Sequence, residues 1–143
     1  MPNLKDRILD LFKAPRLSGL ATITKDGKPW VRYVMTEASD DLTFRCSSFV
    51  DDRKVAQIES NPEVHLTCGI AQPTDKGPYL QIQGRAEFST DREARHAFWS
   101  DRLSAVFKGS DDPKYGVVTV HAYRIELCYV GLKPEVWERG KDT

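Results

Sequence analysis

Residues 46–54 read Cys-Ser-Ser-Phe-Val-Asp-Asp-Arg-Lys, which gathers two hydroxyls and two adjacent cations into a short stretch. If that stretch is a strand end followed by a helix start, it suits a phosphate monoester. Such a group takes charge-assisted donors and the free N–H groups of a helix N-terminus. The candidates are Cys46, Ser47, Ser48, Arg53 and Lys54. Arg32 is a further one, because a cation inside a strand-like run is unfavourable unless it is exposed or paired. Residue types alone leave a plainer reading open, with Arg53 and Lys54 solvated on a helix and Arg32 on a solvent-facing strand.

The sequence offers no self-sufficient catalytic set. It has no G-x-S-x-G elbow, no carboxylate pair with an evident partner and no Cys/His nucleophile pair. Any chemistry is therefore expected to come from an organic cofactor. Cys46 has no adjacent base and reads as a small apolar residue. Three cysteines and three histidines are widely scattered, so neither a disulfide framework nor a metal site is expected.

Composition narrows the partners. Lys and Arg number 21 and Asp and Glu number 21, which removes any bulk attraction for nucleic acid or an anionic membrane. No apolar run is long enough for a membrane helix, and the charged first turn lacks the apolar block of a signal peptide. One cytoplasmic domain, residues 1–143, is expected, with neither nucleic acid nor membrane as partner.

The elements that must position these residues follow from periodicity. Asn3 is placed to cap a helix bearing Leu4, Ile8, Leu11 and Phe12, ended by Pro15. Residues 18–24 and 29–37 read as strands joined by a turn around Asp26-Gly27, a strong hairpin signal. The second strand places Val31, Tyr33 and Met35 on one face and Trp30, Arg32, Val34 and Thr36 on the other. A third strand spans 42–47, a helix capped by Asp51 or Asp52 spans 53–60, and Val64, Leu66 and Cys68 mark a fourth strand. Residues 79–88 alternate as a fifth strand, with Leu80, Ile82, Ala86 and Phe88 facing in. Thr90 to Glu93 has the form of a capping box for a helix carrying Ala94, Ala97, Phe98 and Leu103. A long last strand, 116–130, loses its alternation before Ala122, which predicts a bulge near His121. Six strands joined mostly by hairpins favour a mainly β fold, an antiparallel barrel with flanking α-helices.

Three segments then become recognisable. Pro29-Trp30-Val31-Arg32-Tyr33-Val34 resembles the P-x-x-R-x-V strand of pyridoxamine 5'-phosphate oxidases. Residues 53–64, Arg-Lys-Val-Ala-Gln-Ile-Glu-Ser-Asn-Pro-Glu-Val, resemble that family's R-K-x-x-Q-I-E-x-N-P-x-V segment, and Gly84-Arg85-Ala86-Glu87 its G-x-A-E strand. The resemblance runs from Leu17 to Val130. It implies a six-stranded split barrel, a homodimer and flavin mononucleotide (FMN) at the dimer interface. On that resemblance Arg32 contacts the cofactor, and backbone groups of Tyr33, Val34 and Met35 line the isoalloxazine ring. Cys46, Ser47 and Ser48 meet the ribityl chain and phosphate, Arg53 and Lys54 hold the phosphate, and Trp99 approaches the flavin from the partner subunit.

The departures are specific. Two extra residues lie between Phe44 and Arg53, and Tyr79 stands where the family has a glutamine five residues before its glycine. The oxidases' further strand with its R-x-H substrate motif has no equivalent, so pyridoxamine 5'-phosphate oxidase activity itself is not expected. The length, Phe98-Trp99 and Ser110-Asp111-Asp112-Pro113 resemble the general stress protein 26 branch. A flavin-dependent oxidoreductase acting on a small redox partner is the expectation. A flavin-binding stress protein without turnover is the alternative, as is a barrel holding deazaflavin, or haem on His65 or His121.

Overall fold

The computed structural model describes residues 2–141. Its elements are α1 (Leu4–Asp10), β1 (Arg16–Ile23), β2 (Pro29–Ala38), β3 (Thr43–Phe49), α2 (Arg53–Ser60), β4 (Glu63–Cys68), β5 (Tyr79–Ser89), α3 (Arg92–Phe98), β6 (Tyr115–Cys128) and β7 (Glu135–Glu138). Six strands in the order β3-β2-β1-β4-β5-β6 are antiparallel, and β3 pairs with β6 to close them into a barrel. Period-two patterning sets which face turns in. Along β5, Leu80, Ile82, Gly84 and Ala86 are buried while Gln81, Gln83, Arg85 and Glu87 are exposed. The main core holds Leu20, Phe44, Leu66, Leu80, Ile82 and Ile125, and a smaller cluster gathers Phe98, Leu103, Phe107, Tyr115 and Val117.

The barrel is split between β2 and β3. β2 pairs with β1 along Pro29 to Thr36, but with β3 only at Glu37↔Arg45 and Ala38↔Phe44. β3 turns instead to β6 and pairs there from Thr43 to Phe49. α2 starts directly after β3, with Asp52 accepting the Lys54 N–H as its N-cap, and it packs against β1 and β5.

Three expectations need correction. A seventh strand exists: β7 joins β6 at residues 124–127, just past the stretch that β3 occupies. The chain therefore does continue through another strand, but that strand reads Glu-Val-Trp-Glu and has no R-x-H. Four residues with two glutamates give no period-two signal. The strand is held by Trp137, buried in the core, and by Arg139, which donates to the carbonyl oxygens of Ala122 (2.7 Å) and Asp41 (2.9 Å). Second, the capping box does not form. The Ser89 hydroxyl takes the Asp91 N–H, and the helix begins one residue late with Asp91 at its N-cap making no side-chain cap bond. Third, α3 ends at Phe98, so Leu103 reaches the second cluster from a separate 3-10 turn, Asp101–Ala105. The bulge expected near His121 is present, at Tyr123: Ala122 faces Gly84 and Arg124 faces Gln83. Gly84 is required there, since a Cβ would sit 2.7 Å from Val120 Cγ1 and 2.9 Å from the His121 carbonyl oxygen. Among the described residues no helix is long and apolar enough to cross a membrane.

Candidate cofactor site

The split leaves one strand edge open. Thr24 and Lys28 bond across the β1–β2 turn, so antiparallel alternation directs the N–H and C=O groups of Trp30, Arg32, Val34 and Thr36 to β1. Those of Val31, Tyr33 and Met35 point the other way, toward the gap, where β3 has already turned aside. Among the described residues these three have no strand partner on that edge. Their side chains lie on the outer face, with Val31 66% and Tyr33 81% exposed, whereas Val34 packs in the core. Of the three residues expected to offer backbone groups, Tyr33 and Met35 turn theirs to the gap, and Val34 turns its own toward Ser18.

Arg32 stands at the inner side of this gap and is half-buried. Its Nη1 donates to Thr22 Oγ1 (2.7 Å) and to the carbonyl oxygens of Leu20 and Trp30 (3.2 Å each), and its Nη2 donates to Gln57 Oε1 (3.0 Å). The Thr22 hydroxyl donates onward to the same Gln57 oxygen. Every one of these hydrogen-bond acceptors is neutral, and the Asp52 carboxylate acts on the guanidinium only through space. Burial pushes its pKa down from the ordinary arginine value and outweighs the opposing pull of the Asp52 carboxylate.

α2 supplies the other two cations, and they differ. Arg53 is exposed and lays its guanidinium over the Trp30 ring, 5.4 Å from the centroid, with no ion pair among the described residues. Lys54 is 5% exposed and its Nζ lies 3.0 Å from Asp52 Oδ2. Burial works against the Asp52 carboxylate, but hydrogen bonds from Lys54 hold it below the usual range. The two hydroxyls also separate. Ser48 is buried and its Oγ donates to the Phe49 carbonyl oxygen at 2.9 Å, while Ser47 is half-buried on the opposite face of β3. Cys46 lies in the core, where burial raises its thiol pKa to about 12, so it is no nucleophile.

The structure thus brings Arg32, Arg53 and Lys54 to one corner, beside the open edge of β2. It does not bring Trp99 there. That ring follows α3 and packs edge-on against Tyr115, centroids 5.6 Å apart, in the second cluster of the same chain. His65 is half-buried, with burial lowering its pKa, and His121 faces Glu87 at 3.3 Å. Sequence reasoning missed Thr22 and Gln57. The signal was available: a polar residue at an inward position of β1, following buried Ser18 and Leu20, demands a buried partner. Gln57 falls one turn after Arg53 and Lys54, on the face of α2 that meets β1.

Two hollows border β2, and the smaller of them includes Arg32 in its lining. One of about 400 Å³ lies on the outer face of β1, β2 and β4 among Leu17, Gly19, Val31, Tyr33, Thr67 and Ile70. The other, about 780 Å³, opens beneath α3 and begins where β2 and β3 part, at Glu37 and Arg45.

Residues 4–129 match the sequence family described as pyridoxamine 5'-phosphate oxidase. The chain belongs to that family. Within the pyridoxamine 5'-phosphate oxidase family it falls in the general stress protein 26 branch. It is 31% identical over 134 residues to General stress protein 26 of Bacillus subtilis (strain 168), covering 94% of both chains. The crystal structure of General Stress Protein 26 from Bacillus anthracis superposes with a TM-score of 0.79 at 24% identity, covering 94% of this chain and 98% of that one. A heme binding protein from Mycobacterium smegmatis shares the fold at 15% identity and TM-score 0.76, over 96% of this chain and 59% of that one.

Proposed function

We propose that this chain binds FMN in the gap between β2 and β3 and serves as a flavin-dependent oxidoreductase on a small molecule. The observation that carries this reading is the open edge of β2 beside Arg32, a fixed cation whose acceptors are all neutral. A flavin's pyrimidine rim needs backbone donors and acceptors, which Val31, Tyr33 and Met35 leave free. A phosphate monoester needs cations without carboxylates already on them. Arg32 and Arg53 meet that need, and Lys54 meets it in part because Asp52 shares it. Bound there, the flavin would supply hydride acceptance and donation, while the protein orients it and holds its phosphate.

Two copies would cover the site. Leu17, Val31, Tyr33, Met35 and Ile70 are 40–81% exposed on one outer face, a contiguous apolar patch of the kind a homodimer buries. Trp99 in its second cluster is then free to meet the partner's flavin, as the family resemblance implies.

The decisive experiment compares FMN with riboflavin by fluorescence titration. FMN is expected to bind at least about tenfold tighter, a gap worth ~1.4 kcal/mol, and Arg53→Ala is expected to narrow it. Equal binding of the two, or none of either, overturns the reading. Sedimentation of Tyr33→Asp tests the dimer, which is expected to dissociate.

A further inference from the structure

The larger hollow has no part in holding the proposed cofactor, yet it opens at the point where the β2–β3 gap closes. Its lip is the last β2–β3 pair, Glu37↔Arg45. Its floor is the outer face of β3, β6 and β5, and its roof is the apolar side of α3, with Ala94, Ala97 and Phe98.

The charges on that floor are arranged in a row. Arg45 is opposite Thr119 on β6, and Thr119 is opposite Glu87 on β5. A cation and a carboxylate therefore stand two strand spacings apart, about 9–10 Å between backbones. Neither is satisfied by a strong counter-ion. Arg45 donates to the Ser39 hydroxyl at 2.6 Å and has no carboxylate among the described residues, because Glu37 is taken by Arg102 at 2.6 Å. Glu87 meets only the His121 imidazole, at 3.3 Å, and Asp91 and Glu93 on the rim are in no ion pair among the described residues.

We propose that this groove seats the second reactant, and that the reactant is a zwitterion whose anionic and cationic ends are separated by a short apolar body. The proposal rests on the cofactor reading above for its place beside the flavin. Arg45 takes the carboxylate, Glu87 with Glu93 takes the ammonium, and Phe98 and Val117 cover the chain between. An α-amino acid with an uncharged side chain, such as alanine, has its two charges adjacent and cannot reach both ends. With Glu37 held by Arg102, a phosphate monoester still meets the carboxylates of Glu87, Asp91 and Glu93 against one guanidinium and is disfavoured by charge.

Calorimetric titration with four probes tests this: 6-aminohexanoate, hexylamine, hexanoate and alanine, on the protein with and without added FMN. The separated zwitterion is expected to bind about tenfold tighter than the other three in both preparations, the gap that one charge-assisted contact gives. Arg45→Ala is expected to reduce its affinity to that of hexylamine, and Glu87→Gln with Glu93→Gln to that of hexanoate. Both are surface changes outside the core, and matching thermal melts check that each variant folds. In the flavin-loaded protein, 6-aminohexanoate is expected to shift the visible band, and an unshifted band overturns the placement beside the cofactor. Equal affinity for hexylamine and 6-aminohexanoate, or indifference to Arg45→Ala, overturns the groove itself. A protein that takes up no flavin but still prefers the separated zwitterion sinks the cofactor reading and leaves the groove standing.

Discussion

Two corners of this barrel are rich in arginine, and they treat it in opposite ways. At the tail, Arg124 lies between Glu126 (2.7 Å) and Glu138 (3.3 Å), and Arg7 grips Glu135 with both nitrogens (2.8 and 2.7 Å). Lys141 joins Glu138 as well. At the α2 corner, Arg32 is fixed by two carbonyls, a hydroxyl and an amide, and Arg53 by the face of Trp30. Neutral partners alone do not mark a ligand site, since Arg139 at the tail is likewise held by the carbonyl oxygens of Ala122, Asp41 and Leu42 and by the Trp137 ring. What sets the α2 corner apart is that Arg32 and Arg53 stand together beside an open strand edge, and that combination marks the proposed anion site in a chain of zero net charge.

The contrast is broken most forcefully at Trp137. If the tail is purely structural, Trp137→Ala is expected to cost about 3–5 kcal/mol of stability by opening a cavity at the β6–β7 junction, with cofactor affinity per folded molecule unchanged. Chemical denaturation together with FMN titration checks both halves. A loss of affinity in folded protein would make the tail part of the site. Next in size is Gln57→Glu, which gives Arg32 a carboxylate of the same shape. FMN affinity is expected to fall about tenfold to a hundredfold, on the scale of ~1.5–3 kcal/mol for a charged hydrogen bond, while riboflavin affinity changes little. The flavin-free protein is expected to melt higher, because the buried guanidinium gains its counter-ion. Unchanged FMN binding would show that Arg32 is neutralised by something other than a ligand.

Asp52 separates the corners more finely, since it is a carboxylate placed where the others are missing. Its pKa is depressed, so it contributes stability above its unfolded value of about 3.9, and that contribution is lost as pH falls through the lower folded value. Asp52→Asn keeps the helix cap but is expected to flatten the acid side of the stability curve. It also frees Lys54, so FMN affinity at pH 7 is expected to rise about threefold to fivefold, near ~1 kcal/mol. Removing a carboxylate at the tail brings no such gain. A drop in FMN affinity on Asp52→Asn would mean that the Asp52–Lys54 pair, not free Lys54, is what the phosphate meets.

The barrel was legible because its strands are half-buried. Alternation in β5 and the Asp26-Gly27 turn mark their elements by local rules, and the bulge showed as a break in that alternation two residues from its true place. β7 was not legible: what fixes it is Trp137 reaching a core assembled from distant strands. The cations Arg32, Arg53 and Lys54 could be found by type and spacing, but their inequality could not. Whether a lysine points at Asp52 or at a ligand depends on burial, and sequence reports burial only through period. The open edge of β2 was invisible for a similar reason, since it results from β3 choosing β6 over β2.

The smallest expected effect is at Arg124, and it is the sharpest control for the contrast. Its pKa is raised, first by the hydrogen bond to Glu126, so the guanidinium stays charged in that pair. It sits at the surface, however, where an ion pair is screened by salt and held against the entropy of two long side chains. Arg124→Ala is therefore expected to lower the melting temperature only slightly in dilute buffer. In about 1 M salt, where the Debye length is ~3 Å, the difference is expected to vanish. FMN binding should not respond, and its salt dependence should match that of the unmodified protein, because the phosphate corner is intact. If the salt slope of FMN binding flattened in Arg124→Ala, the tail's matched charges would be steering the ligand too. The paired charges of the tail and the open cations of the α2 corner would then no longer be independent.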